Sequence, residues 1–174
     1  MAWRRALLLA VGGVILATPS IAQNLDIGKI AGVYKKQFKN GNISGDKYDS
    51  EDILEIVKVS PSTAYLKTHL EFFNGHVCNI HGIADLESVA LVYRGPKNVE
   101  GKPCELRVKV ERGKIALDDN DGHCAIGTCG NRGMYNGTAF ELKRRRPIRY
   151  MDVLLKSDDY KAAIAEHDSK PRAR

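Results

Sequence analysis

The sequence lacks a hydrophobic run long enough to anchor a chain in a membrane, and it has no strong excess of one charge. Its longest apolar run, residues 6–17, is far shorter than the about 20 residues that a membrane-spanning helix needs. The 27 Lys and Arg residues are scattered among 21 Asp and Glu residues, which leaves a net charge of only +6. These absences argue against a membrane anchor and against a nucleic-acid-binding surface.

The first 22 residues instead have the three parts of a secretory signal peptide. Arg4 and Arg5 form a basic start, the apolar run follows, and Ser20–Ala22 supplies a small-x-small cleavage site. Cleavage there would remove two cations and no acid, lowering the net charge from +6 to +4. The sequence therefore predicts a periplasmic or secreted protein with no membrane anchor.

Beyond the signal peptide the sequence predicts a β domain, residues 23–146, and a helical C-terminal tail, residues 147–174. Turn signals such as Asn40-Gly41 and Asn74-Gly75 separate short runs rich in β-branched and aromatic residues, which is typical of antiparallel β proteins. We therefore predict an all-β fold, an antiparallel barrel or sandwich of about eight strands. The predicted strands cover residues 32–39, 53–59, 64–73, 77–84, 90–93, 104–111, 114–117 and 138–142.

Two short helices are predicted in the tail, which would pack on the β domain or extend from it. Ser157-Asp158-Asp159 places a hydroxyl cap and two acids at a helix start. Pro147 suits the first turn of another helix over Ile148–Leu155.

The clearest strand is CELRVKVE, residues 104–111. Cys104, Leu106, Val108 and Val110 alternate with charged side chains, so that one face is apolar and the other is polar. This period of two predicts a strand with one buried face and one face in water.

Four cysteines in an exported chain predict two disulfides, and four cysteines allow three connectivities. Cys78 shares the face of its predicted strand with Ile80, as Cys104 shares its own with Leu106. We therefore predict a buried bond between Cys78 and Cys104. Cys124 and Cys129 flank a glycine, which would let the chain turn back, so the second predicted bond is Cys124–Cys129.

The stretch NGHVCNIHG raises the possibility of a metal site, because it brings two histidines close to a cysteine. On a strand, however, His76 and Cys78 lie on one side and His81 on the other, whereas zinc needs three or four converging ligands. We predict no metal and no cofactor. A small metal-dependent enzyme that uses His76, His81 and His123 is kept as an alternative.

The acidic stretch LDDNDGH, residues 117–123, offers oxygens at alternate positions, as part of a calcium loop does. The glutamate that would complete such a loop is missing, because Cys124 and Gly127 follow. We interpret the stretch as a solvated turn.

The run KRRRPIR, residues 143–149, is the densest charge in the sequence. One interpretation is a solvated connection between the last strand and the tail. The other is a surface for an anionic partner, such as phosphorylated wall polymers or lipid headgroups.

Residues 44–48, SGDKY, follow the Asn40-Gly41 turn and are predicted to project as a loop. They resemble the S-G-x-x-Y motif of bacterial periplasmic lysozyme inhibitors, a family of small disulfide-bearing β proteins. The resemblance implies a loop that inserts into the active-site cleft of a wall hydrolase, where Ser44 hydrogen-bonds the catalytic carboxylates and Tyr48 orients the loop. Lys47 would add charge complementarity.

The first functional hypothesis is therefore a non-enzymatic exported binding protein, an inhibitor or immunity protein against a lysozyme-like cell-wall hydrolase. Its candidate binding residues are Ser44, Lys47 and Tyr48, and no catalytic residue is assigned. The main alternative is a periplasmic β-barrel that binds a small ligand in its interior. Such an interior would be lined by Leu70, Phe72, Val108 and Val110.

Overall fold

The structure is a computed structural model that describes residues 25–170, so the predicted signal peptide lies outside the described residues. Eight strands form one antiparallel sheet in which each strand pairs with its neighbours in sequence, and the sheet curls into a nearly closed barrel. This confirms the all-β prediction. The strands are β1 (Gly32–Gly41), β2 (Lys47–Lys58), β3 (Thr63–Glu71), β4 (Val77–Glu87), β5 (Ala90–Lys97), β6 (Pro103–Glu111), β7 (Lys114–Asp118) and β8 (Ala139–Glu141).

In the described part of the chain, four short helices and two 3-10 turns accompany the barrel. The hydroxyl of Ser157 caps the last helix by accepting a hydrogen bond from the amide of Tyr160 at 3.2 Å, at the start that the sequence predicted. Among residues 25–170, no helix has the length and apolar character to cross a membrane. The helices are α1 (Ile27–Ile30), α2 (Ala125–Thr128), α3 (Met151–Lys156) and α4 (Asp158–Ser169), and the 3-10 turns are Phe73–Gly75 and Leu142–Arg144.

Alternating side chains fill the barrel interior. In β6 the side chains of Cys104, Leu106 and Val108 are buried, and in β4 Cys78 and Ile80 are buried, as the strand parity predicted. Burying each of the larger apolar side chains contributes about 1.5–3 kcal/mol. Leu70 and Val108, two of the residues proposed to line a ligand cavity, have no exposed surface. They belong to the cluster of buried side chains inside the barrel, which we call the interior cluster, and Phe72 and Val110 pack against it. This filled interior does not favour a ligand inside the barrel.

A second apolar cluster lies outside the barrel, between the sheet and the helical tail. Val57 and Tyr65 on the outer faces of β2 and β3 pack with Leu154 of α3 and Ala163 of α4. The Tyr160 ring meets the Tyr65 ring edge-on, with centroids 5.1 Å apart. The tail therefore covers the outside of the first four strands.

The barrel closes at a seam between β1 and the segment after β8. The amide of Val33 donates to the carbonyl of Arg146 at 2.9 Å, and the amide of Arg146 donates to the carbonyl of Val33 at 3.0 Å. A Cβ atom at Gly32 would lie only 2.7 Å from the carbonyl oxygen of Arg146, so this close approach requires glycine. Part of the basic run is thus structural, because its backbone closes the barrel.

The disulfides are Cys78–Cys129 and Cys104–Cys124, so the predicted pairs Cys78–Cys104 and Cys124–Cys129 are wrong. Cys78 lies on β4 and Cys104 on β6, with β5 between these strands in the sheet. Two inter-strand spacings, roughly 10 Å, exceed the reach of a disulfide. The predicted faces of both strands were correct, but each sulfur bonds to the β7–β8 connection (residues 119–138).

The β7–β8 connection covers one end of the barrel. Cys124 and Tyr135 are fully buried, and the interior cluster includes both. Asp119, predicted to be solvated, is only 1% exposed; one carboxylate oxygen accepts the amide of Ala125 at 3.0 Å, and burial raises the pKa of this carboxyl. The same end carries the turns that follow β1, β3 and β5, because the strands alternate in direction. We call it the hairpin end.

Candidate functional site

The SGDKY stretch lies at the tip of the β1–β2 hairpin. Asn40 pairs with Tyr48 and Gly41 with Lys47, so Lys47 and Tyr48 belong to β2 and only residues 42–46 form the turn. The side chains of Ser44 and Lys47 are exposed, and Tyr48 is half-buried. The predicted projecting loop is therefore a short turn on a long, regular hairpin.

Hydrogen bonds across its base fix the turn. The amide of Asn42 donates to the carbonyl of Asp46 at 3.1 Å, and the amide of Asp46 donates to the side-chain oxygen of Asn42 at 3.0 Å. The two side chains also bond directly at 2.9 Å. Gly45 supplies the positive φ of 89° that the turn requires. Ser44 is thus presented at the apex of a turn whose base is closed on both sides.

A neighbouring turn holds the hairpin in place. The hydroxyl of Tyr48 accepts a hydrogen bond from the amide of Gly75 at 3.1 Å, and the side chain of Asn74 accepts one from the amide of Ile43 at 3.4 Å. Both partners belong to the β3–β4 turn. Tyr48 therefore joins two turns of the hairpin end, and its hydroxyl is already engaged within the chain.

Exposed apolar and cationic side chains surround the tip. Ile43 is 76% exposed, and Phe73 and Met134 also present apolar surface at the hairpin end. The guanidinium of Arg132 lies over the Phe73 ring, 5.2 Å from its centroid. Among residues 25–170, Lys47 has no carboxylate within 4.0 Å, so its charge is available to a partner.

Both disulfides rigidify this surface by joining it to the barrel. They attach the β7–β8 connection, which carries Arg132 and Met134, to β4 and to β6. A side chain at Gly133 would overlap the sulfur of Cys78, so the connection passes directly over that bond. The surface around the tip is therefore pre-organised, and it is built from three parts of the hairpin end: the β1–β2 turn, the β3–β4 turn and the β7–β8 connection.

The histidines of the metal hypothesis are dispersed. His81 is on the outer face of β4, 4.0 Å from Asp159 of α4, while His76 packs against Gly130 at the hairpin end. His123 is in the β7–β8 connection, where its carbonyl accepts from Asn98 at 3.1 Å. Within the described part of the chain, no three His, Cys, Asp or Glu side chains are placed to hold a metal ion.

Comparison of the chain with protein-family models, with curated proteins and with solved structures finds no match. The two disulfides are typical of an oxidising, extracellular compartment.

Sequence reasoning missed the surroundings of the tip. It marked Asn74-Gly75 as a turn, but it did not place that turn against Ile43 and Tyr48. The sequence could have indicated this contact, because two strands, β2 and β3, separate the β1–β2 turn from the β3–β4 turn. In an antiparallel meander, turns separated by two strands lie at the same end of the sheet.

Proposed function

We propose that this protein is a non-enzymatic, periplasmic binding protein that inhibits a lysozyme-like cell-wall hydrolase, with the β1–β2 hairpin tip as the inserted element. The observation that supports the proposal is the exposure of Ser44 on a turn whose conformation is fixed by its own hydrogen bonds. A turn whose conformation is already fixed enters a cleft at a smaller cost in conformational entropy than a flexible loop would.

The chemistry of the tip suits a cleft that contains carboxylates. The Ser44 hydroxyl can donate one hydrogen bond to a carboxylate and accept another from a protonated acid. Lys47 adds a positive charge beside it, and charge complementarity accelerates association. In this proposal Tyr48 does not contact the target, because its hydroxyl orients the tip from within the chain.

The apolar side chains of the hairpin end would supply most of the binding energy. Ile43 beside Ser44, with Phe73 and Met134 on adjacent parts of the surface, are large exposed side chains on a rigid base. Interfaces concentrate their free energy in a few such residues surrounded by polar groups. The predicted signal peptide and the disulfides support a periplasmic location, where a wall hydrolase would be met.

The test is inhibition of a panel of lysozyme-type hydrolases by the mature chain, with affinities from titration calorimetry. Ser44→Ala should weaken binding by about 10- to 100-fold, as expected for loss of a hydrogen bond to a charged group. Ser88→Ala is the control, because Ser88 is an exposed serine in the β4–β5 turn at the opposite end of the barrel. Ile43→Ala should weaken binding as well.

Two outcomes would overturn the proposal. One is that the folded wild-type chain inhibits no hydrolase of the panel. The other is that Ser44→Ala and Ser88→Ala inhibit equally well, which would move the binding surface away from the hairpin tip.

A further inference from the structure

A basic cleft of about 500 Å³ lies beside the barrel seam, on the outside of β1 and β2. It shares no residue with the hairpin tip. Its lining comes from two strands and from the segment that follows β8. The lining residues are Lys35, Gln37, Glu51, Lys143, Arg144, Arg145 and Arg146.

The cleft exists because pairing along the seam stops after one residue pair. Val33 exchanges two hydrogen bonds with Arg146, but the preceding residues, Leu142–Arg144, coil into a 3-10 turn and leave the strand edge. Backbone groups two residues apart point the same way along a strand. The amides of Lys35 and Gln37 therefore face this gap, as that of Val33 faces Arg146.

The charge of the cleft is strongly positive. Its only acid, Glu51, is bonded to Lys35 at 2.5 Å and to Gln37 at 3.2 Å. Among the residues that the structure describes, no carboxylate lies within 4.0 Å of the cationic groups of residues 143–146. Five cations against one acid leave a net charge of +4 on the cleft.

These cations project from a fixed segment. The backbone of Arg146 is held by its two bonds to Val33. The guanidinium of Arg145 donates to the carbonyls of Gly28 and Lys29 at the end of α1, at 3.2 and 3.0 Å. A flexible, solvated connection would let like charges separate, whereas here the fold holds four of them in one wall.

From this geometry we infer that the seam cleft binds a phosphorylated ligand that carries two or more negative charges, with Lys143, Arg144 and Arg146 as the principal contacts. The guanidinium fork matches phosphate oxygens with two parallel hydrogen bonds, and the exposed amides of the β1 edge add neutral donors. A volume of about 500 Å³ lies within the range of roughly 300–1,000 Å³ typical of small-molecule sites.

The test uses the full mature chain and sodium tripolyphosphate as the probe, with titration calorimetry at low ionic strength. The double variant Arg144→Gln/Arg146→Gln should bind about tenfold more weakly or worse, because it loses both guanidinium forks. Its control is Lys102→Gln/Arg112→Gln, which removes the same charge from exposed turns and should bind within about twofold of the wild type. Both backbone bonds between residues 33 and 146 are retained in the first variant.

Glu51→Gln should strengthen the binding of tripolyphosphate, and a misfolded protein would not show such a gain. The substitution removes the one acid of the cleft and releases Lys35. Vesicles of phosphatidylglycerol, with phosphatidylcholine as the neutral reference, then distinguish the source of the phosphate. Flotation with phosphatidylglycerol vesicles that tripolyphosphate reverses would indicate a lipid headgroup, and binding of tripolyphosphate alone would indicate a soluble phosphorylated ligand.

The inference is overturned if the two double variants bind tripolyphosphate equally, or if Glu51→Gln weakens binding. It is also overturned if polyglutamate of matched charge binds as tightly as tripolyphosphate, since the cleft would then select charge and not phosphate.

Discussion

Strands β2 and β6 belong to the same barrel, but residues 53–57 of β2 are covered on both faces whereas β6 is covered on one. Inward side chains of β2 join the interior cluster, and its outward side chains meet α3 and α4. The outward side chains of β6, Glu105, Arg107 and Lys109, instead form ion pairs at the surface, among them Lys109–Asp118 at 2.5 Å.

The sequences of the two strands carry this difference. ILEIV in β2 is apolar at both parities except for one glutamate, while CELRVKVE in β6 alternates strictly. An antiparallel strand with water on one side alternates, so an apolar run at both parities indicates a cover on the outer face. The helical tail is that cover.

The largest expected effect is on the interior face of β2. Leu54→Ala should lower the free energy of unfolding by about 2–5 kcal/mol, because Leu54 is fully buried and the cavity would persist. Lys109→Ala, on the outward face of β6, should change it by no more than about 0.5 kcal/mol. Denaturant unfolding at equilibrium measures both, and similar losses would contradict the assignment of faces.

An acidic side chain on the buried face of α4 should disrupt the packing of the tail on the sheet and leave the barrel intact. Ala163 is 4% exposed against the sheet, so Ala163→Asp should lift α4 off and make its amides exchange roughly tenfold faster or more. The amides of β6 should keep their protection, and Ala165→Asp, on the exposed side of α4, should change neither. Equal acceleration in β6 would show that the tail and the barrel unfold as one unit.

A smaller loss of stability is expected when the contact of Glu55, the one glutamate in the apolar run of β2, with the tail is removed. The Tyr150 hydroxyl donates a hydrogen bond to Glu55, which is 9% exposed. Tyr150→Phe should lower the free energy of unfolding by about 1–2 kcal/mol, because it leaves the buried carboxylate of Glu55 without this hydrogen-bond donor. Burial, and then this bond, raise the pKa of Tyr150, so the contribution is present below the ordinary tyrosine value of 10.0 and declines as the pH rises above it.

A double-mutant cycle with Glu55→Ala, which removes the acceptor, isolates that interaction, with denaturant unfolding as the measurement. If Tyr150→Phe lowers the free energy of unfolding by the same amount in the Glu55→Ala background, the hydroxyl does not act through Glu55.

The smallest effect is the acid dependence of tail docking. The Lys67 hydrogen bond, and then the charge of His81, lower the pKa of Asp159 on α4. A lowered pKa means that the stabilisation is present above the ordinary value of 3.8 and is lost as the pH falls through the folded value. Amide protection of α4 should therefore decrease as the pH falls below the ordinary value of 3.8, and Asp159→Asn should flatten that decrease. An unchanged profile in the variant would exclude Asp159 as the cause.

Local periodicity was enough to predict that the eight strands exist, although β2 begins at Lys47 and not at the predicted residue 53. Cys104, Leu106 and Val108 alternate with charged residues, and their burial confirms the predicted face of β6. The same parity argument placed Cys78 inside. Alternation of apolar and charged residues indicates the direction of each side chain, because successive side chains of a strand point to opposite faces of the sheet.

Partners across the fold were not predictable in the same way. Parity shows that Cys78 and Cys104 point inward, but not that the β7–β8 connection crosses the barrel end between them. Helix α1 was missed because IGKI is too short to show a helical period, although Asp26 caps it by accepting the Gly28 amide at 2.8 Å. The contact of Tyr48 with Gly75 likewise depends on the assembled barrel.

The nested disulfides have a consequence for the biogenesis of the protein. The Cys104–Cys124 bond lies inside the segment enclosed by Cys78–Cys129. A chain oxidised in the order in which its cysteines leave the export machinery would first join Cys78 to Cys104, and then Cys124 to Cys129. Reaching the native pairs then requires attack of a thiolate on an existing bond, the exchange that disulfide isomerases catalyse. The yield of native protein should therefore depend on a disulfide isomerase as well as on the oxidase that forms the bonds.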